Sequence, residues 1–361
     1  MLLRSLFALA LLAPLAQAQS PSIIIDTDAG SDDFLAIAFL LSHPSVHIDA
    51  ITIANGLAHV DAGERNLIRL VDVSGRANLP VFAGRPTPLK GSAEFPREWR
   101  KTSDDLPGVA LPPSSRKPER KSAADYLVEF LKDQKHRVRI LALGPLTNLA
   151  EALEREPSIA HSIQEIVIMG GAIQVPGNLG DGGLFQTKNK TAEWNIFVDP
   201  YAARIVFRSR IPIVLVPLDA TNKVPIDLAF LRDFQAHAVS PLGRVAAQVL
   251  ETDRESIQGK YFYAWDPLAA MALLHPEVVK SRRLHIDIAA THASFSAEAQ
   301  CLFEFNRADS VVVTDSVSLG PSFARHTGVS LSVISVAALF ADAIRALEPE
   351  ASVARDGEPA H

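Results

Sequence analysis

The chain has little cysteine, few aromatic residues and no long apolar run, and each scarcity narrows what it does. Cys301 is the single cysteine among 361 residues. It allows no intrachain disulfide and no thiolate metal cluster, and beside Leu302 and Phe303 it reads as a buried structural thiol. No run of basic residues occurs and the net charge is −6, which argues against a nucleic-acid polymer as partner. There is no internal repeat and no P-loop. No segment is apolar for long enough to span a bilayer. Residues 1–18 have a positive start at Arg4, a short apolar middle with Leu11 and Leu12, and a small-residue site at Ala16-Gln17-Ala18. This reads as a signal peptide cut near Ala18, so the mature chain is expected to be exported, periplasmic or secreted. No cysteine follows the cleavage site to carry a lipid, and no membrane anchor is expected.

What is present is a large apolar store, 48% of the residues, enough for one sizeable core. Strand-like and helix-like segments alternate. Strands are expected at 23–25, 48–53, 79–83, 138–143, 163–169 and 211–216, with helices between them and a last helix at 336–347. The alternation predicts an α/β fold: an open, doubly wound, mainly parallel, Rossmann-like sheet in one domain, 19–349, followed by a polar tail at 350–361. Residues 91–121 are rich in proline, serine and charge and read as a long loop, which is functional or disordered when it occurs inside a domain. That loop contains Trp99, one of only three tryptophans.

The chain is organised around residues 23–33. Ile23-Ile24-Ile25 reads as a buried strand, Asp26-Thr27-Asp28-Ala29-Gly30 as a tight turn, and Ser31-Asp32-Asp33 as the start of a helix whose apolar positions are Phe34, Ile37, Ala38 and Leu41. A helix start tolerates one or two acids. Four carboxylates in eight residues repel one another unless a cation or a bound polyol compensates. A hard, oxygen-seeking ion such as Ca²⁺ is the natural partner. An EF-hand loop counted from Asp26 fails, because Gly30, Ser31 and Ile37 occupy its fifth, sixth and twelfth places. The haloacid-dehalogenase pattern, Asp-x-Asp-x-Thr, fails at Gly30. Further loops carry oxygen-bearing side chains after strands or at helix starts: Thr147-Asn148, Asn178, Glu193 and Asn195, and Asp266. In an open parallel sheet such loops line one crevice.

The pattern Asp-x-Asp-x-Gly-x-Asp-Asp fits fully at 26–33 and resembles the signature of the calcium-dependent nucleoside hydrolases. Ile168-Met169-Gly170-Gly171-Ala172, Gly177-Asn178, Leu218-Asp219 and Trp265-Asp266-Pro267 follow in family order. The resemblance implies hydrolysis of the N-glycosidic bond of ribonucleosides. By it, Asp28, Asp33, Asp266 and the main-chain carbonyl of Thr147 would bind Ca²⁺, and Asp28 would also be the general base. Asp32, Asn178, Glu193 and Asn195 would hold the ribose. Phe95 to Arg100, Ala192-Glu193-Trp194-Asn195 and Tyr263-Ala264-Trp265-Asp266 resemble the purine-specific branch, in which two indoles sandwich the base; Trp99 and Trp265 would be that pair. Purine nucleosides are then the expected partners, and a homodimer or another homo-oligomer the expected assembly. The alternatives are a broad-specificity, inosine-uridine type hydrolase and a non-catalytic nucleoside-binding protein. The family places an asparagine after Val-Ala-Gly; here the order is Ala54-Asn55-Gly56, which makes Asn55 a candidate contact to the base. Ala29 stands where many relatives carry proline. Asp219 is expected to orient its neighbours rather than to bind an ion.

Overall fold

A run of β-branched residues prefers an extended strand, and a run apolar at every position needs cover on both faces. Ile24 packs into one apolar cluster, while Ile23 and Ile25 on the opposite face pack into another. They form β1 (Ile23–Thr27) at the centre of an eight-stranded sheet. The computed structural model describes residues 22–133, 137–288 and 303–313. The other strands are β2 (Ile48–Ile53), β3 (Val81–Ala83), β4 (Val138–Ala142), β5 (Ile163–Met169), β6 (Ile213–Val216), β7 (Lys280–Ile288) and β8 (Phe303–Val313). Their spatial order is β3-β2-β1-β4-β5-β6-β8-β7, parallel throughout except where β7 pairs antiparallel with β8.

The helices lie on both faces. In chain order they are α1 (Ser31–Ser42), α2 (Val60–Val73), α3 (Arg97–Asp105), α4 (Ala123–Lys132), α5 (Thr147–Arg155) and α6 (Trp194–Val198). Then come α7 (Pro200–Arg208), α8 (Leu218–Thr221), α9 (Leu228–His237), α10 (Pro241–Thr252), α11 (Arg254–Gln258) and α12 (Trp265–Leu274). α1 packs against α10 and α12 over one face, and α5 packs against α4 and α7 over the other. The doubly wound, mainly parallel α/β fold expected from the sequence is therefore the fold observed. β1 has β2 on one side and β4 on the other. The strand order reverses there, and in open α/β sheets a crevice forms at that point outside the carboxyl ends of the strands.

The 91–121 stretch is not a structureless loop. Its middle is α3, which carries Trp99 and buries Arg100 and Ser103. α3 is polar, so apolar periodicity does not announce it. Hydrogen bonds hold it to α2: the main-chain N–H of His59 donates to Asp104 Oδ1 at 2.8 Å, and Asn66 Nδ2 donates to the Asp104 carbonyl at 3.0 Å. The sixth strand starts at Ile213 rather than Ile211, and β7 and β8 add two strands beyond the six expected. The signal peptide expected at 1–18, Cys301, the helix expected at 336–347 and the tail expected at 350–361 lie outside the described residues.

Candidate active site at the switch point of the sheet

Only Asp28, Ala29 and Gly30 separate β1 from α1. So short a turn forces Ala29 to φ 58°, a left-handed conformation that costs a non-glycine residue about 1 kcal/mol. The turn presents Asp28 at the carboxyl end of the central strand. Its Oδ2 accepts a hydrogen bond from the Leu57 N–H at 2.8 Å, and its main-chain carbonyl accepts from Ala58 N–H at 2.9 Å. Two glycines wall it in. A Cβ on Gly56 would lie 2.0 Å from Asp28 Oδ2, and one on Gly144 would lie 2.8 Å from Asp28 Cβ. The inverted Asn55-Gly56 order therefore places at 56 a residue that a side chain could not replace.

Asp33, one turn into α1, accepts from the Thr27 hydroxyl and from Gly30 N–H, the latter at 2.9 Å. Asp266 stands at the start of α12, 1% exposed, and its Oδ1 has no hydrogen-bond partner among the described residues. Asp32, Asp33 and Asp266 each bring an oxygen within 4.8 Å of the others. Burial pushes the carboxyls of Asp28, Asp32 and Asp266 well above the usual carboxylate range, and repulsion among the four acids pushes the same way. Asp33 is raised by burial too, although hydrogen bonds oppose it. These acids are set to hold either protons or a cation. Every donor is oxygen, which suits a hard ion.

The acids open on a cavity of about 410 Å³. Asp28, Asp32 and Asp33 form its floor, and Trp265 and Asp266 enter from α12. Trp99 enters from α3, Asn178 and Glu193 come from the segment between β5 and α6, and Asn195 comes from the first turn of α6. Nine residues singled out in the sequence thus meet around one space. The last three also brace the backbone. Glu193 accepts from Gly171 N–H at 2.8 Å and Asn195 N–H at 3.0 Å. Asn195 Nδ2 donates to the Leu143 carbonyl at 2.9 Å and the Met169 carbonyl at 3.2 Å, tying the ends of β4 and β5 together. Asn178 Oδ1 accepts from Trp194 N–H at 3.2 Å.

Other expected residues lie elsewhere. Asn55 lines a neighbouring cavity, where its Oδ1 accepts from Arg100 Nη2 at 3.1 Å. At the start of α5 the Thr147 hydroxyl donates to Asp199 at 2.8 Å; the expected ion ligand is its main-chain carbonyl, which that bond does not engage. Asp26, the first acid of the run, does not line the cavity; Thr52 on β2 and Asn148 on α5 donate to its Oδ1 at 2.7 and 2.8 Å. Burial leaves Asp26 with a pKa of about 6 despite those bonds. Asp219 accepts from Ile173 and Gln174 N–H at 2.8 and 2.7 Å, the orienting role expected of it. Among the lining residues not anticipated are Asp253 and Trp194. Asp253, between α10 and α11, is pushed up to about 6 by burial. Trp194 stacks on Phe95 at 4.8 Å and meets Trp99 edge-on at 5.7 Å, bracing the wall that Trp99 forms. The repeated Trp-Asn and Trp-Asp pairs were the available signal for Trp194; nothing near Asp253 marked it.

A doubly wound α/β protein with buried carboxylates and two indoles at its switch point has the build of a small-molecule hydrolase. A family model described as inosine-uridine preferring nucleoside hydrolase matches residues 23–319. Uridine nucleosidase 1 of Arabidopsis thaliana is 33% identical over 262 residues, 71% of this chain and 74% of that protein. A pyrimidine-specific ribonucleoside hydrolase of Salmonella schwarzengrund is 34% identical over 261 residues, 71% of this chain and 80% of that protein. A solved plant nucleoside hydrolase superposes with a TM-score of 0.69 at 26% identity, covering 91% of this chain and 98% of its own. The fold also matches a Bacillus anthracis inosine-uridine preferring nucleoside hydrolase, TM-score 0.73 at 23% identity, covering 91% and 98% of the two chains. The chain belongs to the nucleoside hydrolase family.

Proposed function

We propose that the protein is a Ca²⁺-dependent hydrolase of purine ribonucleosides, releasing free base and ribose. The observation that carries the reading is the convergence of Asp28, Asp33 and Asp266 with Trp99 and Trp265 on one cavity. Cleavage of the glycosidic bond builds positive charge on the ribosyl ring, and a buried acidic floor stabilises that charge. Asp28, fixed by Leu57 and the two glycines, takes the proton of the attacking water. Asp32, Asn178, Glu193 and Asn195 orient the ribose hydroxyls with acceptors and donors in fixed directions. Trp99 and Trp265 flank the base; stacking on it makes its ring nitrogen easier to protonate as it departs with the bonding electron pair.

The donor set fits calcium, because Asp266 Oδ1 is buried without a partner beside Asp32 and Asp33 and every group is an oxygen. Asp28, Asp33, Asp266 and the main-chain carbonyl of Thr147 would hold the ion. Bound there, it would orient the attacking water and lower that water's pKa. Export after cleavage near Ala18, and assembly as a homodimer or other homo-oligomer, belong to the same reading.

A pyrimidine or broad specificity is the second reading, favoured by the names of the relatives in Arabidopsis and Salmonella. Trp265 immediately before Asp266 and Trp99 on α3 favour the purine, whose larger ring gains more from stacking. Ribose release from inosine, guanosine, adenosine, uridine and cytidine, with and without a calcium chelator, decides between them. Purine turnover lost on chelation is expected. Equal uridine turnover would replace the purine assignment, and tight nucleoside binding without turnover would make the protein a nucleoside-binding module.

Two substitutions test parts of the site. Trp265→Ala is expected to lower kcat/KM for inosine about 5- to 150-fold, the loss of about 1–3 kcal/mol of stacking. It should leave inhibition by free ribose unchanged, and weakened ribose inhibition would mean that the whole site had collapsed. Gly56→Ala is expected to push Asp28 aside and reduce kcat by about 10²-fold while the melting temperature falls only slightly. Wild-type kcat in that variant would show that the wall at Gly56 does not set the carboxylate.

A further inference from the structure

Asp199 is fully buried at the corner between α6 and α7 and does not line the catalytic cavity. Its carboxylate accepts three hydrogen bonds. Oδ1 accepts from Ala202 N–H at 3.0 Å and so caps α7. Oδ2 accepts from Leu89 N–H at 2.6 Å and from the Thr147 hydroxyl at 2.8 Å. A cap needs one oxygen, and serine or asparagine supplies it as well as aspartate does. The second oxygen joins α7 to segments 110 and 52 residues away in the chain. Only a carboxylate accepts on both sides at once, because the amide of asparagine carries donors on one of them. Aspartate at this place therefore serves more than the start of α7.

Thr147 is the residue whose main-chain carbonyl the proposed function assigns to calcium. Thr147 and Asn148 open α5, and both are fully buried. Each is held by a buried acid that does not line the cavity. The Thr147 hydroxyl donates to Asp199 and the Asn148 amide to Asp26, at 2.8 Å in both cases. The carbonyl in question belongs to the peptide group that joins these two residues, so that group is held from both ends. Just upstream, Leu143 N–H donates to the Asp26 carbonyl at 2.7 Å, which sets the same turn against β1.

A carboxylate ligand can turn about its own side-chain bonds to meet an ion. A main-chain carbonyl has no such freedom, and its direction is set by whatever holds the backbone around it. Groups behind a metal ligand that fix its orientation matter nearly as much as the ligand. We propose that Asp199 is a positioning residue for the ion site: through the Thr147 hydroxyl it sets the direction of the Thr147 carbonyl. The inference rests on the reading of that carbonyl as an ion ligand.

The test is calcium binding by the full chain, measured by calorimetric titration of chelated protein and by the rise in melting temperature on adding calcium. Thr147→Val keeps the shape of the side chain and removes the hydroxyl; Thr147→Ser keeps the hydroxyl. Thr147→Val is expected to weaken calcium binding about tenfold to a hundredfold, the usual loss when a group that orients a metal ligand is removed. The calcium-induced rise in melting temperature should shrink with it. Thr147→Ser should bind calcium nearly as the wild type does. Asp199→Asn should weaken binding at least as much as Thr147→Val, and combining the two should add little, since they act through one bond. If Asp199→Asn fails to fold, the two Thr147 variants decide alone. A merely structural bond would lower the melting temperature of the chelated protein and leave the calcium affinity unchanged. Wild-type affinity in Thr147→Val, or an equal loss in Thr147→Ser, would overturn the inference and leave the proposed function standing. A wild-type protein that binds no calcium would overturn both the ion assignment and the inference.

Discussion

Asp28→Asn should reduce kcat by about 10²–10⁴-fold, the usual contribution of a positioned general base, with a smaller change in KM. The amide keeps the shape of the carboxylate, so it still fits between Gly56 and Gly144 and can still accept from Leu57 N–H. It cannot take a proton from water. Removing one of four crowded, buried acids also relieves repulsion, so the fold should persist and the melting temperature should hold or rise. Ribose release, measured with circular dichroism on the same sample, checks both parts. Near-normal kcat would remove Asp28 as the base and leave it a structural or ligand carboxylate. A lost fold would mean that its charge is needed to bind an ion that the native state requires.

Calcium should stabilise the protein strongly, and more so at alkaline than at acid pH. Asp28, Asp32, Asp33 and Asp266 all have carboxyl pKa values raised by burial, and Asp26 and Asp253 lie at about 6. A raised pKa means that the folded state binds more protons than the unfolded chain, whose aspartates titrate near 4. Stability from these protons is complete below about pH 4 and is lost as pH rises through 6 and above. Chelated protein should therefore melt at a lower temperature at pH 8 than at pH 5.5. An ion at a hundred times its dissociation constant adds about 2.7 kcal/mol, or roughly 3–5 °C for a chain of this size. Because the ion and the protons compete for the same oxygens, that gain should be largest at pH 8. A chelated protein whose melting is insensitive both to pH and to added calcium would show that this acidic floor holds no cation.

The contrast between the Asp28 turn and α3 shows what could be seen in the chain. The run at 26–33 was legible because its chemistry is local: β-branched residues choose a strand, helix-spaced apolar residues choose a helix, and four acids between them have no bland explanation. The parallel sheet followed from repetition of that unit, as did the expectation that Asn178, Glu193, Asn195 and Asp266 converge. α3 escaped notice because hydrogen bonds to His59 and Asn66, 37 or more residues upstream, hold it and apolar periodicity does not.

The sequence by itself determined the α/β class and the acidic turn, since those depend on residue type and short-range spacing, and the resemblance to a known family named the candidate site residues. Only the tertiary structure decided which of them share a space. Hydrogen bonds from Thr52 and Asn148 engaged Asp26 while Asp28 lines the cavity, the approach of Gly56 and Gly144 fixed where Asp28 stands, and α3 sent Trp99 to one cavity and Arg100, with Asn55, to another. The physical reason is that a cavity is a relation between elements distant in sequence, set by how they pack, and no local pattern encodes it.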